Sequence, residues 1–177
     1  NRNVGILGLG SLGSACAEHL VKLGFNVLGW SRSEKYIDQV NCLSGNKNLH
    51  SFLSKCHIIV CLLPLTPETK GILNKENMKL LPQGAFIINA ARGAHLVEED
   101  LLELINSHHI AGAALDVFKT EPLGLSSPLW SNSKITITPH VAAVANQESA
   151  AKVLSETVRL ISKGVTPPKL VDRNTGY

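Results

Sequence analysis

Directly behind its first apolar run the chain carries Gly8-Leu9-Gly10-Ser11-Leu12-Gly13, and behind that a stretch of helical spacing over residues 12 to 23. Glycines at this spacing are informative only between a strand and a helix, which is where these lie. Gly8 suits the tight turn, Gly10 lets a diphosphate approach the backbone, and Gly13 lets helix and strand pack closely. The first N–H groups of the helix, Ser11 and Leu12 among them, point at the anion. A Gly-rich turn with no ligand is the ordinary alternative, and the rest of the chain bears on the choice.

Apolar bursts alternate with longer amphipathic stretches along the whole sequence. The bursts are "NVGILGLG", "FNVLGWS", "HIIVCLLP", "GAFIINAA", "IAGAALDVF" and "KITITPH". Helical patterns fall near residues 12–23, 48–56, 75–81, 97–107 and 146–163, and Pro64, Pro67, Pro82, Pro122, Pro128 and Pro139 stand at the joints. The alternation specifies an α/β fold, a doubly wound parallel sheet of the Rossmann type with right-handed crossovers. Ligands of such sheets bind at the carboxyl ends of the strands, so the residues just past each burst are the candidates for chemistry.

At 177 residues and 44% hydrophobic composition the chain can bury a core. Its charge of +3 is scattered singly among acids, which argues against nucleic acid as a partner. Cys16, Cys42, Cys56 and Cys61 show no paired spacing, and three of them lie in apolar surroundings that suit small buried residues of a reducing compartment. No run approaches the roughly 18 apolar residues of a membrane span, so a cytoplasmic protein without membrane contact is the expectation.

The second burst ends in "GWSRSE". Where an acid usually meets the ribose 2′-OH, Ser31 and Arg32 offer a hydroxyl and a guanidinium, which suit a 2′-phosphate; the alternative leaves Arg32 solvated and gives the ribose to Glu34. NADP(H) is therefore expected in preference to NAD(H).

Three further polar residues stand just past bursts: Arg92, Glu121 and His140. Singly, each has a plain explanation: Arg92 pairs with Glu98 or Glu99, Glu121 caps a turn, His140 sits satisfied in a loop. Together they make a set for hydride transfer to a ketoacid: a cation for the carboxylate and carbonyl, a proton donor, and an acid to keep that donor charged. The remaining histidines, His19, His50, His57, His95, His108 and His109, show no ligand spacing, and no metal is expected.

"GILGLGSLG", "LLPLTPETKGILN", "INAARGAHLVEEDLL", "GAALDVFKTEPL" and "ITPHVAA", in this order over nearly the whole chain, resemble the cofactor-domain motifs of the D-isomer-specific 2-hydroxyacid dehydrogenases. "GWSRS", "SPLW" and "LVDRNTGY" are closer to the glyoxylate/hydroxypyruvate reductase A branch than to phosphoglycerate or formate dehydrogenases. The resemblance implies that Arg92 binds the carboxylate and carbonyl of a 2-ketoacid and that His140 donates the proton. Glu121 would hydrogen-bond His140 and favour its imidazolium. It also implies that Asp116 bonds the nicotinamide carboxamide and that Leu63, Pro64, Thr69 and Ala90 lie along the cofactor. Trp130 is a candidate wall of the substrate pocket, or simple packing.

Family members carry a smaller substrate domain built mostly from sequence ahead of the first strand. The expectation is thus a dinucleotide-binding domain over residues 1–145 and a C-terminal helix and tail, 146–177, returning to a substrate domain outside this chain. Such a piece would bind NADPH and, alone, turn over weakly or not at all. Ala150, Val153, Leu154, Val158 and Ile161 give the last helix an apolar stripe, and relatives imply a homodimer. Alternatives are an NAD-dependent dehydrogenase of another substrate, and a non-catalytic dinucleotide-sensing module of the corepressor kind.

Overall fold

Strands form wherever a burst alternates its side chains between two covered faces. In the first, β1 (Asn3–Leu7), Val4 and Ile6 enter one apolar cluster and Leu7 the other. The computed structural model describes residues 2–168, 170, 171 and 173, so the end of "LVDRNTGY" lies outside the described residues. The chain divides into two units, Asn1–His140 and Val141–Tyr177.

In the first unit β1 is followed by α1 (Ser11–Lys22), β2 (Asn26–Ser31), β3 (Asn41–Ser44), α2 (Leu49–Leu53), β4 (Ile58–Cys61) and α3 (Lys75–Lys79). Then come β5 (Ala85–Asn89), α4 (Glu98–Asn106), β6 (Ile110–Leu115) and β7 (Ile135–Ile137). All seven strands are parallel in the order β3-β2-β1-β4-β5-β6-β7. This is the doubly wound sheet that the alternation of bursts demands. The order reverses between β1 and β4, so the crevice opens beside the glycine turn.

Ala17 of α1 packs with Val4, Ile6 and Val27 on one face. On the other, Phe52 and Leu53 of α2, Met78 of α3, and Leu101, Leu104 and Ile105 of α4 pack with Leu28, Ile59, Cys61 and Ile87. Local chemistry sets the helix starts: the Asn74 side chain accepts from the Asn77 amide, and Glu98, Glu99 and Asp100 complement the dipole of α4.

The strand β3 is a departure from the sequence reading, which passes over "NCLS" as connection. It is four residues long, half-exposed, pairs with β2 and is reached by residues 32–40 without a helix, so the usual strand-helix-strand rhythm is absent.

In the second unit α5 (Gln147–Ser162) is capped by Asn146, whose side chain accepts from Ser149 N at 2.9 Å, and carries an Arg159–Glu156 ion pair. Its apolar Val153, Leu154, Val158 and Ile161 are exposed. The described helices include none long and apolar enough to cross a membrane.

Candidate active site

Because every strand runs the same way, the residues past β1, β2, β4, β5, β6 and β7 gather at one edge of the sheet. The turn past β1 is fixed by close approach. Gly8 has φ +102°, outside the range most side chains tolerate. A Cβ on Gly13 would lie 1.8 Å from the Gly8 carbonyl oxygen, whereas one on Gly10 would meet nothing within 4 Å. The turn is thus tight at its base and open at its mouth.

At that mouth Gly10 caps α1 with no side-chain acceptor, and no acid stands in the first turn. The amides of Ser11, Leu12 and Gly13 therefore face the opening without a carboxylate to compete for them, an arrangement that fits a diphosphate. Ser11 and Leu12 have exposed side chains, and only their backbones are placed to serve an anion.

At the end of β2 Ser31 is buried and its hydroxyl donates to the Ser33 carbonyl at 2.7 Å. That donor must swing away before it can serve a phosphate, so the 2′-phosphate reading leans on Arg32. Arg32 lies near the loop past β4: the Glu68 carboxyl is held below its usual range first by the Thr66 hydroxyl, then by its own backbone, with the Arg32 charge adding to the effect.

Past β4, Leu63 is buried and Thr69 Oγ1 donates to the Pro64 carbonyl at 2.7 Å while accepting from the Thr66 amide at 2.8 Å. These bonds hold the 64–69 loop in one shape. Past β5, Ala90 N donates to the Cys61 carbonyl and carries the ladder one residue beyond the strands. Arg92 follows, exposed, with Nη1 donating to the Ala91 carbonyl at 2.7 Å. No ion pair joins it to Glu98 or Glu99; Glu98 Oε1 instead accepts from the Lys119 amide at 2.9 Å.

Past β6 and β7 lie the remaining groups. Asp116 is buried, donates its amide to the Asn89 carbonyl, and accepts from the Thr138 hydroxyl. Glu121 Oε1 accepts from the Phe118 amide at 3.0 Å, and Oε2 lies 2.8 Å from His140 Nδ1. The His140 bond holds the Glu121 carboxyl below its usual range, helped by the Phe118 amide and the charges of His140 and Arg92. An ionised Glu121 fixes one ring nitrogen of His140 and leaves Nε2 for exchange with a substrate. Arg92, Glu121 and His140 are thus brought together electrostatically, although 48 residues of sequence separate the first from the last. Trp130 is half exposed, with Nε1 donating to the Gly124 carbonyl at 3.0 Å.

Three supporting residues escape the sequence reading. Asn89 is fully buried and donates through Nδ2 to the Arg92 carbonyl at 3.1 Å, Thr138 ties Asp116 to the His140 segment, and His95 is buried with Nδ1 against the Arg92 carbonyl. A polar residue closing an apolar burst was the available signal for Asn89; nothing in the sequence spacing marks the other two.

The described residues hold no cluster of three or more His, Cys, Asp or Glu side chains fit for a metal. Burial pushes the Cys56 and Cys61 thiols up to about 12, which leaves them unreactive.

A model of the D-isomer specific 2-hydroxyacid dehydrogenase NAD binding domain matches residues 1–142. A D-isomer specific 2-hydroxyacid dehydrogenase from Xanthobacter autotrophicus Py2, solved with NADPH and MES, is 45% identical over 99% of this chain and 73% of its own, with TM-score 0.97. A family protein from Klebsiella pneumoniae 342 is 41% identical over 98% of this chain and 56% of its own, with TM-score 0.92. The NADPH-dependent glyoxylate/hydroxypyruvate reductase from Sinorhizobium meliloti, solved with NADP and sulfate, is 37% identical over 99% of this chain and 57% of its own, with TM-score 0.95. The chain therefore spans little more than half the length of the latter two.

Proposed function

The chain belongs to the D-isomer specific 2-hydroxyacid dehydrogenase family, and from that premise we propose that it carries the cofactor site and the acid–base pair of a reductase acting on glyoxylate or hydroxypyruvate. NADPH, when bound, supplies the hydride for the carbonyl carbon. Arg92 holds the ketoacid carboxylate and polarises the carbonyl, and the His140 imidazolium gives a proton from Nε2 to the keto oxygen. Glu121 keeps Nδ1 engaged throughout, so the ring neither turns nor loses its second proton. The product is a 2-hydroxy acid, achiral glycolate from glyoxylate and the D isomer from hydroxypyruvate.

Residues 1–145 are the dinucleotide-binding part in this reading and 146–177 the helix and tail that return to a substrate domain. Gly8, Gly10, Ser11, Leu12 and Gly13 take the diphosphate, Leu63, Pro64, Thr69 and Ala90 line the cofactor, and Asp116 takes the carboxamide. Arg32, with Ser31 turned toward it, selects the 2′-phosphate. Relatives solved with NADPH or NADP support that preference. The protein acts in the cytoplasm as a homodimer, a state supported by the exposed apolar residues of α5 and checked by light scattering.

The observation that carries this reading is the 2.8 Å contact between His140 Nδ1 and Glu121 Oε2 at the strand edge that also bears the open glycine turn. Steady-state NADPH oxidation by the full-length protein over a panel of ketoacids tests it. Turnover with glyoxylate or hydroxypyruvate, reduced at least about a hundredfold in His140→Gln, is expected. NADPH binding without turnover of any ketoacid would refute the enzyme and leave a dinucleotide sensor.

A further inference from the structure

His95 is a buried titratable group that the mechanism above does not use. Its side chain is sealed from solvent in the short turn Gly93–His95 past β5, with Nδ1 3.1 Å from the Arg92 carbonyl oxygen and Nε2 3.2 Å from that of Pro64. One carbonyl belongs to the turn that carries Arg92, the other to the loop past β4. We propose that His95 is a positioning residue that ties the Arg92 turn to the 64–69 loop, so that one ring sets both the ketoacid-binding cation and the loop along the cofactor. This rests on the functional reading above.

Neither carbonyl needs the imidazole for its own satisfaction. The Pro64 oxygen already accepts from Thr69 Oγ1 at 2.7 Å, and the Arg92 oxygen from Asn89 Nδ2 and the His95 amide, both at 3.1 Å. What the ring adds is the link between the two segments. An apolar side chain would fill the same volume without the desolvation that a buried imidazole carries, so packing alone does not account for a histidine here. A neutral ring has one N–H and donates to one carbonyl at a time, whereas the imidazolium donates to both. Farther along, the same segments are joined by backbone bonds from Gly71 N to the Ala94 carbonyl and Leu73 N to the His95 carbonyl, both 2.9 Å. The ring is the tie at the other end, next to the site.

The test compares wild-type full-length protein with His95→Gln, which can still reach one carbonyl, and His95→Leu, which reaches neither. In His95→Gln the NADPH Kd, read by fluorescence titration, and the KM for glyoxylate should both rise roughly threefold to tenfold, the range given by the weakening of about one hydrogen bond. kcat/KM should fall more than kcat, because Arg92 holds the ketoacid as well as polarising its carbonyl, while Glu121 and His140 lie on other elements. His95→Leu should be worse in both constants, and amide exchange at Thr69 and His95 should quicken together. A residue that merely fills the core would lower the melting temperature and leave both constants unchanged, and that result overturns the proposal. If wild type neither binds NADPH nor reduces glyoxylate, the functional reading fails, and the tie stands or falls on the exchange data alone. Should the variants not fold, the wild-type ring is read directly: its 15N resonances move on NADPH addition if the tie holds, and stay put if it does not.

Discussion

Gly10→Ala and Gly13→Ala should fail in opposite ways. A Cβ on Gly13 would lie 1.8 Å from the Gly8 carbonyl oxygen, and since such contacts need at least 3.0 Å, the turn must open by about 1.2 Å (3.0 − 1.8) against β1. Overpacking of this kind costs about 3 kcal/mol, which at about 2–4 °C per kcal/mol for a chain of this length lowers Tm by about 6–12 °C. Gly10 has φ −75° and open space where its Cβ would go, so Gly10→Ala should melt within about 0.5 kcal/mol of wild type. Its methyl, however, stands where the diphosphate meets the first amides of α1. Weakening two charge-assisted N–H contacts by about 1 kcal/mol each gives about 2 kcal/mol, or roughly thirtyfold in NADPH Kd. Calorimetry and fluorescence titration on the same samples separate the two effects. A Gly10→Ala protein that binds NADPH like wild type, or a Gly13→Ala protein that melts like it, would refute the argument.

Arg32→Ala should weaken NADPH binding about tenfold or more and leave NADH nearly unchanged, measured by side-by-side titration; equal losses for both cofactors would remove Arg32 from the 2′-phosphate site. Glu121→Gln removes the charge that engages His140 Nδ1 and should lower kcat/KM for glyoxylate roughly tenfold to a hundredfold while Tm moves little, since the pair is largely exposed; unchanged kcat/KM would contradict its role. Burial pushes the His95 imidazole below its usual value, so the unfolded chain binds more protons than the fold between the two pKa values. The stability it contributes is full above about pH 6.5 and declines as pH falls through the folded value; urea midpoints across that window should fall for wild type and stay flatter for His95→Gln, and parallel curves would contradict the assignment.

What the sequence made legible follows from the parallel sheet. Once bursts and crossovers specify it, every strand ends at one edge, so Gly8, Arg32, Leu63, Arg92, Asp116 and His140 can be placed there without coordinates. The strand β3 was not legible because its four residues include Asn41 and Ser44 and no helix announces it. The direction of the Ser31 hydroxyl toward Ser33, and the ties made by Asn89, His95 and Thr138, depend on side-chain geometry in loops that periodicity does not encode. His95 in particular reads only as a histidine without ligand spacing, since its two partners are carbonyls 3 and 31 residues away.

Isotopic labelling follows hydride transfer to a 2-ketoacid, with the proton supplied by His140, at the atoms that react. Full-length protein is given glyoxylate and NADPH deuterated at the nicotinamide C4, each face in turn, and the product is read by mass spectrometry. Glycolate carrying one deuterium on C2 should form from one of the two labelled cofactors, with the yield collapsing in His140→Gln. Unlabelled glycolate from both, or none from wild type with NADPH bound, would contradict it.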